Sequence, residues 1–180
     1  MTKVQWWEYL LSSTWYFIGF VFFIMMACPI IYILFDVPTF FANPELYLIM
    51  FLPYIIITLV TFYWTLRQRR YHVGDLITGQ ILTFITFPIY MKASFLAMLG
   101  IKGTFGITPK GGSKSLPVKA LLPQLIMWLA CFISVVWGIN RLIYEQEPLG
   151  GIVTNTFWCF YHFVILSSVF YFNKADEKRI

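Results

Sequence analysis

Residues 81–99 read ILTFITFPIYMKASFLAML, and whether this stretch crosses a bilayer decides how the whole chain is threaded. Its length would allow a crossing, since a spanning helix needs about 20 mostly apolar residues. Its flanks argue against one. Arg67, Arg69 and Arg70 precede it, and Lys102, Lys110, Lys114 and Lys119 follow it. A crossing would carry one of these clusters outside, against the preference of basic residues for the cytoplasmic face. Gln80, Thr83, Thr86, Tyr90 and Ser94 recur every three or four positions and so share one face of a helix. The region 78–100 therefore reads as an interfacial amphipathic helix on the inner surface, with Lys92 its only charge and a bend at Pro88. A re-entrant segment or a fifth crossing is the alternative.

Outward from this stretch lie four longer apolar runs, at 15–35, 46–66, 120–140 and 151–172, none containing Lys, Arg, Asp or Glu. They read as four transmembrane helices. Pro29, Pro53 and Pro123 lie in or near them, which membrane helices tolerate when neighbours satisfy the freed carbonyls. The first run is too long for the 7–15-residue core of a signal peptide, and no small-residue cleavage site follows it. Composition agrees. Only 12% of the 180 residues are charged, against roughly 25% in soluble domains, and the mean hydropathy is +0.74. The fold class is all-α integral membrane, and residues 1–180 form a single membrane domain.

With four crossings, both termini fall in the cytoplasm. Every basic residue except Arg141 then lies inside, while Arg141, Asp36, Glu45, Glu145 and Glu147 fall in the outer loops. The basic surplus faces membrane lipid and cytoplasmic anions, and it is no sign of nucleic-acid binding. Residues 3–13 read as a second interfacial helix. Val4, Trp7, Leu10 and Leu11 share one face, Gln5, Glu8 and Ser12 the other, and Trp6 and Trp7 suit the headgroup level. Cys28, Cys131 and Cys159 sit singly inside apolar runs and read as small hydrophobes, with no metal site expected.

The segment 101–118 is the most informative for function. It contains Lys102, Lys110 and Lys114 among Gly103, Gly106, Gly111 and Gly112, with Thr104, Thr108 and Ser113. A permissive backbone, lysines and hydroxyls can cradle an anion. The spacing of a Walker motif is absent, and a plain solvated loop is the simpler reading of the residues alone.

Phe105-Gly106-Ile107-Thr108-Pro109-Lys110 resembles the F-x-V-T-x-K signature of bacterial cellulose synthase catalytic subunits and related processive family 2 glycosyltransferases, with Ile in place of Val. The order of elements around it is similar too: interfacial helix, two spans, interfacial helix, this loop and two spans. Phe160-Tyr161 and the charged tail at 173–180 add to the likeness, which covers about residues 4–179. The resemblance implies a gating loop that inserts over a bound UDP-sugar. Phe105, Ile107 and Thr108 would touch the nucleotide, and Lys110 would approach the diphosphate. It also implies a bacterial inner-membrane location and spans that pass a growing polysaccharide outward, with Trp128 and Trp158 as glycan-channel aromatics.

The departures are as informative. No D-x-D, T-E-D or Q-x-x-R-W occurs in these residues. No catalytic residue is therefore assigned, and activity is not expected from this chain alone. The resemblance implies a separate chain carrying the family 2 catalytic domain, with UDP-sugar and a divalent cation, magnesium, bound by the complete enzyme and no cofactor in this chain. A small multispan transporter or assembly protein without glycosyl chemistry is the alternative, and a non-functional gene fragment is a third reading. His162, inside the last span, is either a polar contact between helices or a functional group.

Overall fold

The computed structural model describes residues 2–39, 43–101, 115–145 and 148–174. Every regular element within them is a helix: α1 (Lys3–Thr14), a 3-10 turn (Trp15–Phe17), α2 (Ile18–Phe35), α3 (Pro44–Gln68), α4 (Val73–Ile85), α5 (Phe87–Met98), a second 3-10 turn (Val118–Leu121), α6 (Leu122–Tyr144) and α7 (Leu149–Phe172). Four helical stretches are long and apolar enough to cross a membrane: Lys3–Phe35, Ile49–Gln68, Val118–Tyr144 and Leu149–Phe172. The pair α4–α5 is bent by 51° and would make a fifth if it counted as one span.

The first helix is longer than its apolar run. The sequence predicts a separate amphipathic helix before residue 15, but α1 continues through the 3-10 turn into α2 as one stretch of 33 residues. At 1.5 Å per residue that is about 50 Å, well beyond the roughly 30 Å of a hydrocarbon core. A capping box starts it. The Thr2 hydroxyl accepts from the Gln5 backbone N–H, and the Thr2 N–H donates to the Gln5 side chain. No residue of α1 is buried.

The core is built on α6 and α7, which run antiparallel and share the most extensive contact in the fold. Gly138 makes this possible, because the Thr156 side chain occupies the space a Cβ would need. Cys131, Ser134 and Cys159 are fully buried. Helix α2 lies across the pair and contributes Met26, Ile30 and Ile33 to the same core. Its C-terminal turn meets the C-terminal turn of α6 through Arg141, so these two helices run parallel.

Helices α4 and α5 wrap the other end of the bundle. Pro88 cannot donate a backbone hydrogen bond, and the helix bends just before it. At the bend the Ile89 N–H bonds to the Thr86 carbonyl. The Ile85 carbonyl instead accepts from the buried Gln124 side chain of α6 at 3.2 Å. Phe84 packs between Phe22 of α2 and His162 of α7, and Ser94 donates to the Tyr16 carbonyl of the 3-10 turn at 2.7 Å.

Helix α5 crosses α2 at Gly19. A Cβ there would stand 2.6 Å from the Phe87 carbonyl oxygen and 2.8 Å from the Met91 nitrogen, both backbone atoms that cannot rotate away. Gly19→Ala is expected to destabilise the protein by about 1–3 kcal/mol through overpacking. Thermal unfolding of the detergent-solubilised protein reads this, and an unchanged midpoint would show that α5 does not pack there.

Helix α3 stands apart. None of its apolar window is buried. It reaches the rest of the fold through Phe51, whose ring meets Trp158 of α7, and through Tyr63, which donates to Gln80 of α4 at 3.1 Å. The chain directions place Lys3, Arg67, Arg69, Arg70, Lys119 and Lys174 at one end of the bundle, called here the basic end. Arg141 lies at the other, the turn end, beside the connections from α2 to α3 and from α6 to α7.

Candidate functional site

The segment that the sequence singles out, with Phe105, Ile107, Thr108 and Lys110, lies outside the described residues. Its two feet are described, and both are built firmly. Helix α5 ends at Gly100, which has a φ of +69° that suits glycine best. The Ile101 N–H bonds back to the Leu96 carbonyl and the Gly100 N–H to the Ala97 carbonyl, each at 3.0 Å. This pair of bonds is the Schellman arrangement that closes a helix.

The other foot is held from a distance. Asn173, at the C-terminal end of α7, accepts from the Leu116 N–H at 2.7 Å and donates to the Leu116 carbonyl at 3.2 Å. A side-chain amide that bonds both polar groups of one residue fixes that backbone like a strand partner. Asn173→Ala is expected to raise the hydrogen-exchange rate of the Leu116 amide about fivefold, the loss of roughly 1 kcal/mol of hydrogen bonding. Unchanged exchange would mean that the clamp does not hold in solution.

A cleft of about 500 Å³ opens on the turn-end side of the bundle, between α2, α3 and α7. Tyr32, Tyr47, Phe51, Asn155, Trp158 and His162 contribute to its walls. Trp158 is a hydrogen-bond partner of Tyr47. Its ring is also surrounded: Phe51 meets it edge-on with centroids 5.7 Å apart, and His162 stacks on it at 5.9 Å. Trp128 lies elsewhere. Its indole N–H donates to Ser167 at 2.9 Å, and Phe132, Phe163 and Phe170 pack around the ring. The structure thus brings Trp158 and His162 together in one cleft and leaves Trp128 in the contact between α6 and α7.

His162 is 1% exposed, and neither ring nitrogen has a hydrogen-bond partner among the described residues. Of the two readings its position in the sequence allowed, the polar contact to a neighbouring helix is not formed there. Phe84 and Trp158 stack on the ring instead.

One group was not legible as a site. Arg141 reads in sequence as an outer-loop residue, but α6 continues through it to Tyr144 and the side chain is only 6% exposed. Its guanidinium meets Asp36 and Glu145, each at 2.8 Å, and donates to the Tyr32 and Ile33 carbonyls that end α2. The spacing of Arg141 and Glu145, one helical turn apart, was the only signal in the sequence. Asp36 and α2 lie more than a hundred residues away.

Compared with known proteins, the chain matches no protein-family profile, no curated protein and no solved structure.

Proposed function

We propose that this chain is the membrane portion of a processive UDP-sugar glycosyltransferase, and that it covers the donor site and helps pass the polymer across the bacterial inner membrane. The observation that carries the reading is the hexapeptide at 105–110, set among lysines between α5 and α6. The fixed feet at Gly100 and Leu116 support it, because they tether the segment to the basic end.

In this reading both termini are cytoplasmic. Helices α4–α5 lie at the inner surface, and α1 continues α2 toward that surface, where its exposed Trp6, Trp7 and Tyr9 suit headgroups. Phe105, Ile107 and Thr108 contact the nucleotide. Lys110 sits against the diphosphate, whose negative charge grows as the sugar's bond to it breaks, and an ammonium placed there lowers the barrier. Covering the site also limits hydrolysis of the donor.

The catalytic groups come from outside these residues, on a partner chain bearing D-x-D and Q-x-x-R-W. The magnesium ion implied for the complete enzyme has no fit here. No D-x-D occurs in the sequence, and no cluster of three His, Cys, Asp or Glu side chains stands among the described residues. Neither Trp128 nor Trp158 has an uncrowded ring, so sugar contact at Trp158 requires Phe51 and α3 to move aside. UDP binding to the complex of this chain and its partner tests the reading. Lys110→Ala is expected to weaken it, and binding unaffected by that change would favour a multispan transporter or assembly protein.

A further inference from the structure

Helix α3 ends in a concentration of charge that the other described helices do not repeat. Arg67, Arg69 and Arg70 fall within four residues, and all three are exposed. The preference of basic residues for one face of a membrane accounts for their lying at the basic end. It does not account for their grouping. Lys3, Lys119 and Lys174 share that end, each with no second Lys or Arg within three residues in the sequence.

The backbone holds the group together. The Arg69 N–H bonds to the Leu66 carbonyl and the Arg70 N–H to the Arg67 carbonyl, each at 3.0 Å. These tight bonds keep Arg70 one turn beyond Arg67. Arg70 then takes a φ of +62°, a left-handed conformation in which a helix end ordinarily places glycine. Any side chain is strained there. The third charge thus sits at the position of the turn where glycine would suit the backbone better.

These charges find no partner within the described residues. Both ion pairs there belong to Arg141, at the turn end. Asp75 is the only acid between residues 46 and 144, and it pairs with none of the three arginines. Their counter-charge is therefore left to a ligand. A guanidinium forks onto two phosphate oxygens, so three of them together suit a phosphate group.

The neighbouring surface selects the source of that phosphate. None of the apolar window of α3 is buried, so the helix presents acyl chains with an open surface leading up to Arg67. Trp64, one turn before Arg67, and Tyr71, just beyond Arg70, are both exposed. Both residue types suit the headgroup level. A soluble anion or an acidic peptide would match the arginines and leave the apolar surface unused. A phosphatidylcholine would bring its own ammonium into a cationic cluster.

We propose that the corner between α3 and α4 binds one anionic phospholipid, its phosphate held by Arg67, Arg69 and Arg70 and its chains lying along α3. Tyr63 of α3 bonds to Gln80 of α4 close to this corner, so the lipid reinforces a thin contact between the two helices. The proposal does not depend on the glycosyltransferase reading.

Native mass spectrometry of the full chain in a non-ionic detergent, with equimolar dioleoylphosphatidylglycerol and dioleoylphosphatidylcholine, tests it. One phosphatidylglycerol is expected to be retained, with a preference of about tenfold over phosphatidylcholine. The triple variant Arg67→Gln, Arg69→Gln, Arg70→Gln is expected to lose the preference. The triple variant Lys3→Gln, Lys119→Gln, Lys174→Gln removes the same charge from the same end and is expected to keep it. No preference in the wild type, a preference that survives the arginine triple, or equal loss in both triples would overturn the proposal. So would displacement of the lipid by glycerol phosphate or a polyglutamate peptide as readily as by phosphatidylglycerol, which would mark a soluble-anion or protein site. If the arginine triple does not fold, Arg70→Gly removes one charge and suits the backbone at that φ. A preference reduced about threefold then supports the proposal, and an unchanged one rejects it.

Discussion

Lys110→Ala is expected to slow polymer synthesis by the complex about 100- to 1000-fold, the usual cost of removing one preorganised group that meets developing charge. In the proposed reaction the UDP leaving group gains negative charge in the transition state, so most of the loss belongs in kcat. Weakened UDP binding accounts for the remainder. Lys114 and Lys119 provide the controls. They carry the same charge close by but lie outside the hexapeptide, and their alanine variants should stay within about threefold of wild type, as expected for screened surface charges. Lys110→Arg keeps the charge and should restore part of the rate, since a guanidinium differs from an ammonium in shape more than in sign. A rate that falls equally in all three alanine variants would reduce the segment to a diffuse basic surface.

The second large effect concerns the fold. Arg141→Met is expected to destabilise the protein by about 3 kcal/mol, because charge-assisted hydrogen bonds are each worth roughly 1.5–3 kcal/mol. The carboxylates are not the main source of this loss. Asp36 is 68% exposed and can return to water, so its ion pair contributes only about 0–1 kcal/mol. The Ile33 carbonyl depends more on the guanidinium, which lies 3.2 Å away, whereas the Tyr32 carbonyl also accepts from the Asp36 N–H at 3.0 Å. Asp36→Asn should therefore cost well under 1 kcal/mol. Arg141→Lys should recover less than half of the loss, because one ammonium cannot fork between two carbonyls and two carboxylates. Chemical unfolding in detergent measures all three. An Arg141→Met protein as stable as wild type would mean that the end of α2 needs no cap.

The same contacts explain why one arginine is tolerated at the turn end. Two carboxylates neutralise it, so that end gains no net positive charge from Arg141.

How much of this could be read from the chain follows from where each signal resides. The four apolar helices are legible because hydropathy is local: 20 adjacent residues carry the whole signal. Their edges are less so. The run at 120–140 extends to Tyr144 because Arg141 is satisfied by groups from another helix, which no local window contains. The bend at Thr86 follows from Pro88, but its stability depends on Gln124 reaching the Ile85 carbonyl, a partner 39 residues away. The start of the chain offered an amphipathic pattern before an apolar run and no reason for the two to fuse, yet nothing between Thr14 and Ile18 breaks the helix. Within the candidate site, Trp158 and His162 stood out as unusual residues inside a span. Their shared cleft depends on α3 standing away from α2, which is a matter of packing and leaves no mark in sequence. The hexapeptide, conversely, is read from sequence alone, and the structure contributes its two feet.

Polymer synthesis in sealed vesicles tests the proposed function most directly. This chain is reconstituted with the proposed partner, a chain bearing D-x-D and Q-x-x-R-W, and a panel of radiolabelled UDP-sugars is supplied with magnesium on the outside. One UDP-sugar is expected to give long polymer inside the vesicles only when both chains are present. Equal amounts of equally long polymer from the partner alone, or no polymer from any UDP-sugar with both chains present, would contradict it.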